Sequence, residues 1–89
     1  MSTPRESSIH NPRYRRLVQG LVDSRNIARL SQGELAAIIG LSQPDISKIE
    51  ACERRIDLLE TLDWLNACRP GEVSEAIETL VKEGYASKH

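Results

Sequence analysis

The chain has 89 residues, of which 39% are hydrophobic and 28% charged, and its formal net charge is −1. This composition is typical of one small globular domain, and the aromatic content of 3% predicts a core of aliphatic side chains. No apolar run approaches the roughly 20 residues that cross a bilayer, and residues 1–11 lack the apolar stretch of a secretion signal, so we expect a cytoplasmic protein without a membrane partner.

The first predicted helix follows a polar segment. Residues 1–10 are rich in Ser, Thr and Pro and show no apolar periodicity, which predicts a flexible tail. Asn11 can cap a helix, and Pro12 suits the first helical position because its missing N–H is not needed there. Apolar residues then recur at helical spacing and predict a helix that ends near Asn26. They are Tyr14, Leu17, Val18, Leu21 and Val22.

The next three helix starts share one motif, a capping residue followed three positions later by an acid. The capping oxygen accepts a first-turn N–H, and the acid suits the positive end of the helix. The three pairs are Ser31 with Glu34, a full capping box by its sequence, and its close relatives Ser42 with Asp45 and Asp57 with Glu60. Leu-Ser-Gln occurs at both 30–32 and 41–43, and we interpret it as two helix starts rather than a structural repeat.

The ends of the later helices are marked by glycine and proline. Gly40 predicts the end of the second helix, because glycine adopts the left-handed conformation without a Cβ penalty. A fourth helix is predicted from about Leu58 to Cys68, where Pro70-Gly71 interrupts it, and a fifth continues to about Glu83. No useful β alternation occurs, so the predicted fold is all-α with five helices.

The second and third helices carry a specific burial pattern. Small or apolar residues stand where two short crossing helices must approach each other and bury side chains: Leu35, Ala36, Ile39, Gly40, Leu41, Ile46 and Ile49. With these positions, "LSQGELAAIIGLSQPDISKIE" resembles the helix-turn-helix of the phage-repressor and Cro-like family, also called the xenobiotic-response-element family. The resemblance covers roughly residues 13–69. It implies a five-helix lambda-repressor-like fold in which helices 2 and 3 are the helix-turn-helix and helices 1–4, at residues 11–69, form the DNA-binding domain.

The resemblance also implies roles for individual residues. Base-reading positions on the third helix are Gln43, Pro44, Ser47 and Lys48. Contacts that hold the DNA backbone or set the register are implied for Gln32, Ser42, Arg54 and Arg55. Arg25 and Glu50 correspond to a partly buried structural ion pair of the family. Ala51-Cys52 replaces the Asn-Gly that often follows this glutamate, and we expect a slightly longer third helix.

Basic side chains also occur outside the helix pair. Residues 1–55 hold nine Lys and Arg against six Asp and Glu, whereas residues 56–89 hold three against seven. This asymmetry suggests that the first part of the chain faces a polyanion. Four arginines there are either phosphate ligands or ordinary helix surface: Arg13, Arg15, Arg16 and Arg29.

Residues 70–89 are predicted to form a C-terminal dimerisation element. Their apolar stripe comprises Val73, Ala76, Ile77, Leu80 and Val81. Such a stripe either packs on the protein's own core or pairs with a twofold mate, and we favour the mate because two recognition helices read half-sites one helical turn apart.

These features predict a sequence-specific transcriptional regulator, a repressor or autoregulator that binds a palindromic operator in double-stranded DNA as a homodimer. The alternative is an antitoxin-type interaction module whose acidic C-terminal half binds a toxin partner. We expect neither an enzyme nor a cofactor or metal site, because no catalytic arrangement, glycine-rich phosphate loop or metal-ligand spacing occurs. Cys52 and Cys68 are expected to be reduced thiols.

Overall fold

Five helices account for most of the chain in the computed structural model, which describes residues 10–85. They are α1 (Pro12–Ile27), α2 (Gln32–Ile39), α3 (Gln43–Glu50), α4 (Leu58–Cys68) and α5 (Val73–Gly84). Residues 10–85 contain no strand, so the prediction of an all-α fold with five helices is confirmed for this range. None of these helices is long and apolar enough to cross a membrane. The predicted tail at residues 1–10 lies, apart from His10, outside the described residues.

Local hydrogen bonds determine where the helices begin. The Asn11 side chain accepts the Arg13 N–H at 2.7 Å ahead of α1. At the starts of α2, α3 and α4, the cap and the acid three residues later each accept a backbone N–H from the other. All three predicted motifs therefore form complete capping boxes, including the two that contain aspartate.

Two residues with positive φ shape the turns that flank α3. Gly40 ends α2 at φ 78°, and the N–H of Leu41 donates to the Ala36 carbonyl at 3.0 Å. Cys52 adopts φ 59°, and its N–H donates to the Ile49 carbonyl. The expectation of a longer third helix is therefore wrong: α3 ends at Glu50, because Cys52 itself takes the left-handed conformation that favours glycine.

The core lies where α1, α2, α3 and α4 meet. Its largest side chains are fully buried: Trp64, Leu35, Ile46, Ile49 and Leu65. The Trp64 Nε1–H donates to the Leu21 carbonyl at 3.0 Å, so the only indole of the protein is satisfied at its polar atom. Aliphatic residues supply most of the rest of the core, as the composition predicts.

Helix α5 packs along α1 and belongs to the same helical body. A Cβ at Gly20 would lie 2.7 Å from Leu80 Cδ2, and one at Gly84 would lie 3.0 Å from Leu17 Cδ2, so the two helices approach closely at both glycines. Ala76 is only 2% exposed and lies in the core of its own chain. Of the predicted dimerisation stripe, Val73, Ile77 and Leu80 are half-buried and Val81 is exposed.

Two arginines of α1 hold the end of α5. Arg13 Nε donates to the Gly84 carbonyl at 2.8 Å, and Arg16 Nε donates to the Glu83 carbonyl at 3.2 Å. These carbonyls lie at the negative end of α5, where cations are favoured. For these two arginines the structure favours a structural role over phosphate binding.

A cavity of about 670 Å³ lies between α1 and α5. Ile27 and Leu80 are among its lining residues, together with Cys68, which is 9% exposed. Burial raises the pKa of the Cys68 thiol to about 11. The thiol is therefore protonated at neutral pH.

Candidate nucleic-acid interface

Helix α3 is apolar on its inner face and polar on its outer face. Ile46 and Ile49 are fully buried, whereas Gln43, Pro44 and Lys48 are exposed and Ser47 is half-buried. The four predicted base-reading residues therefore lie outside the core on one eight-residue helix. The buried isoleucines fix α3 against the core, and its outer polar groups remain available to a partner.

Helix α2 packs across α3 and brings the two helix starts together. Leu35 and Ala36 of α2 are buried, and the small side chain of Ala36 allows the helices to approach. At the surface, Gln43 Nε2 donates to Gln32 Oε1 at 2.8 Å. The second and third predicted helices are thus linked through the glutamines of the two Leu-Ser-Gln tripeptides.

Arg25 and Glu50 form a close ion pair behind these glutamines. Arg25 Nε and Nη2 donate to the two carboxylate oxygens at 2.6 and 2.9 Å, and Nη1 donates to the Leu30 carbonyl at 2.8 Å. The two side chains are 13% and 11% exposed. The hydrogen bonds with Glu50 raise the pKa of Arg25 above its usual range, and burial opposes this effect.

Gln32 connects this ion pair to Gln43. Its Nε2 donates to Glu50 Oε1 at 2.9 Å, while its own Oε1 accepts the N–H of Gln43. We call Arg25, Glu50, Gln32 and Gln43 the polar network. Both ends of the Gln32 amide are occupied within it, so a phosphate contact at this helix start falls to the remaining side-chain N–H or to the backbone.

Arg54, predicted to contact the DNA backbone, is paired within the protein. Its Nη1 and Nη2 donate to the Glu60 carboxylate at 3.0 and 2.9 Å, and its Nε lies 3.9 Å from Asp45 Oδ1. The hydrogen bonds from Arg54 lower the pKa of Glu60. The sequence does not indicate that Glu60 is this partner, because a spacing of six residues across a loop carries no helical signal.

Two further predicted contact residues lie at the surface beside this pair. Ser42 is exposed, and its Oγ accepts the Asp45 N–H at 3.2 Å within the capping box. Arg55 is exposed, with its guanidinium carbon 5.7 Å from the centre of the Tyr14 ring. Hydrogen bonds from the backbone and side chain of Ser42 lower the pKa of Asp45, so this carboxylate stays charged and is directed at the start of its own helix.

Arg29 occupies the connection between α1 and α2 and is also exposed. It adopts φ 62°, a conformation that side chains other than glycine rarely take. The sequence does not predict this conformation for Arg29, since glycine or asparagine usually occupies such a position after a helix.

Within residues 10–85, no three His, Cys, Asp or Glu side chains cluster closely enough to hold a metal ion. Neither a protein-family model nor a curated protein sequence matches the chain. Its function is therefore inferred from the geometry of α2 and α3.

Proposed function

We propose that this protein is a sequence-specific transcriptional regulator that binds double-stranded DNA through α2 and α3 of a lambda-repressor-like domain. It acts as a homodimer on a palindromic operator, as a repressor or autoregulator. The observation that carries this proposal is the two-sided character of α3. Its inner isoleucines are fully buried, while a glutamine, a serine and a lysine line its outer face.

The outer face of α3 suits the edges of base pairs in the major groove, which is wide enough for a helix. The Gln43 amide can pair with adenine, and the Lys48 ammonium can bind guanine or a phosphate. Ser47 can donate or accept, and Pro44 offers an apolar contact to a thymine methyl. These four residues are the proposed base-reading set.

Phosphate contacts hold the domain on the duplex in this proposal. Ser42 directly precedes α3 and Arg55 lies in the loop that follows it, and the first-turn N–H groups of α2 at Gln32 favour an anion. A Cβ at Gly33 would meet nothing closer than Ser31 Oγ at 3.9 Å, so packing does not require glycine in this turn. Arg54 acts indirectly, because its bonds to Glu60 hold the loop that carries Arg55.

Two copies are needed because one short helix reads only a few base pairs. In a twofold dimer the recognition helices enter successive major grooves about 34 Å apart. Since Ala76 lies in the core and Leu80 packs at Gly20 of α1, the dimer contact is left to the exposed Val81 and the half-buried Val73 and Ile77. Leu58 and Leu59 on α4, 75% and 67% exposed, are the competing apolar surface.

Selection from random duplexes, followed by titration at several salt concentrations, tests DNA recognition. We expect a palindrome to be enriched and the affinity to fall steeply as salt rises. Lys48→Ala should weaken the selected site by about 1 to 3 kcal/mol. Lys82→Ala, the same change at an exposed position of α5, is the matched control and should leave affinity unchanged. No enriched motif together with a flat salt dependence would overturn the proposal.

Sedimentation of surface variants tests the dimer. Val81→Glu should shift the protein toward monomer at tens of micromolar, because it places a charge on the outer stripe. Leu59→Glu makes the same kind of change on α4 and should leave the dimer intact. The reverse result would move the interface to α4, and a monomer both free and on DNA would exclude the dimer.

A further inference from the structure

The donors and acceptors of the polar network can be arranged in only one order. Arg25 has only donors, and an ionised carboxylate has only acceptors. Glu50 Oε1 accepts from both Arg25 Nη2 and Gln32 Nε2, each at 2.9 Å. The amide of Gln32 therefore has to turn its nitrogen toward Glu50.

This orientation passes to the next glutamine. The two ends of an amide are nearly equal in size, so hydrogen bonds alone decide which end points where. Because the Gln32 nitrogen donates to Glu50, the Gln32 oxygen is directed at Gln43. Gln43 Nε2 donates to this oxygen at 2.8 Å. Within residues 10–85 the Gln43 oxygen accepts no hydrogen bond, and its amide keeps that oxygen and one N–H for a partner.

We propose that Glu50 is a specificity-determining positioning residue, which acts through Gln32 to fix the order of donor and acceptor that Gln43 presents to a base edge. This inference rests on the proposed function. Adenine offers an N7 acceptor beside an N6–H donor, and a glutamine amide pairs with both only when its oxygen faces N6. An amide held in one order is prepared for that pairing before DNA arrives.

Glu50 thus has a role beyond the ion pair. A carboxylate that served only to neutralise Arg25 would need no contact with Gln32. Instead, one carboxylate oxygen is shared between the guanidinium and the amide, and the path from Arg25 to the exposed helix start consists of polar side chains in direct contact. The ion pair is partly buried, but the side chain that it orients through Gln32 is the exposed amide of Gln43.

Amide NMR of the DNA-free protein tests the relay. Glu50→Gln replaces the carboxylate with a group that also donates, so it should shift the side-chain NH₂ signals of both Gln32 and Gln43. Glu72→Gln is the matched control, because it makes the same change at another arginine-paired glutamate, outside the proposed DNA contacts, and should leave both signals in place. If Glu50→Gln leaves the Gln43 signals unchanged, the relay is wrong.

Duplex selection then tests the effect on base preference. In Glu50→Gln, preference for adenine at one position of each half-site should fall by about fivefold or more, while Glu72→Gln keeps it. Gln32→Met retains the ion pair and removes the relay, so it should lose the same preference even if Glu50→Gln fails to fold. If the native protein enriches a motif and Gln32→Met keeps every base preference, this inference fails alone. If the native protein enriches no motif, the proposed function fails, and the NMR result stands separately.

Discussion

Two pairs of packed helices, α2 with α3 and α1 with α5, are held together at the surface by opposite means. The polar network joins the side-chain amides of α2 and α3, and its partly buried ion pair also links α3 to Arg25 of α1. Between α1 and α5, glycines let aliphatic side chains approach closely, and arginines bind the last carbonyls of α5. The α1 and α5 contact thus combines close apolar packing with bonds to backbone carbonyls, whereas the α2 and α3 contact ends in an exposed amide.

The difference shows what each contact can contribute. A close apolar contact gains stability from burial and leaves no oriented polar group. A partly buried polar network contributes less net stability, because its groups must leave water, but its members constrain one another's orientation. A recognition surface benefits from side chains whose orientation is constrained. The contact between α2 and α3 is therefore the better candidate for the functional site.

Removing Glu50 should produce the largest effect of the changes considered. Glu50→Ala leaves the Arg25 guanidinium, 13% exposed, without its carboxylate, and we expect the free energy of unfolding to fall by about 3 to 5 kcal/mol. Chemical denaturation measures it. The double variant Arg25→Met with Glu50→Ala should recover part of the loss, since no unpaired charge remains. Equal losses in the single and double variants would show that the pair is not coupled.

Overpacking the contact between α1 and α5 should lower the free energy of unfolding by less than the loss of Glu50 does. Gly20→Val places a side chain where Cβ alone meets Leu80 Cδ2 at 2.7 Å, and we expect a loss of about 1 to 3 kcal/mol by denaturation. In the Leu80→Ala background the same substitution should cost less, because the clashing atoms are gone. Additive losses would mean that α1 and α5 do not approach at this point.

A substitution in the connection between α1 and α2 is expected to increase the stability of the protein. Arg29→Gly relieves the positive φ of 62° and should raise the free energy of unfolding by up to about 1 kcal/mol. Arg29→Val removes the same charge but keeps the strain, so it should be less stable than the native protein. If Arg29 contacts phosphate, both variants bind DNA more weakly with a shallower salt slope.

The smallest effect is expected at the surface pair beside α3. Arg54 lowers the pKa of Glu60, so its stabilisation is complete above the ordinary glutamate pKa of 4.5 and disappears as the pH falls through the lowered value. Glu60→Gln should therefore cost about 0.5 to 1 kcal/mol at pH 7, and the cost should shrink as the pH falls through the lowered pKa of Glu60. A difference that is independent of pH would contradict the assignment.

The sequence predicts the helices well because their starts are local. Each capping box is formed by residues three positions apart, so Ser31, Ser42 and Asp57 can be identified without knowing the fold. The inward and outward residues of α3 follow from helical spacing in the same way. The resemblance supplies the pairing of Arg25 with Glu50, which residue spacing alone does not indicate.

The rest depends on contacts between distant residues. Which surface α5 covers depends on the approach at Gly20, and residue periodicity does not distinguish a stripe that packs on its own core from one that meets a second copy. The link from Glu50 to Gln32 depends on side-chain conformations at residues 18 positions apart. The same is true of Arg54, whose proximity to Glu60 appears only after the loop is folded.

The Cys68 thiol gives a way to time the separation of α5 from α1. With a pKa near 11, this group is almost entirely unreactive toward alkylating reagents at pH 7 while the helices remain packed. Alkylation would therefore proceed mainly during transient openings that restore water and an ordinary thiol pKa. Its rate, compared with that of a small thiol in solution, would report how often the C-terminal helix lifts from the body.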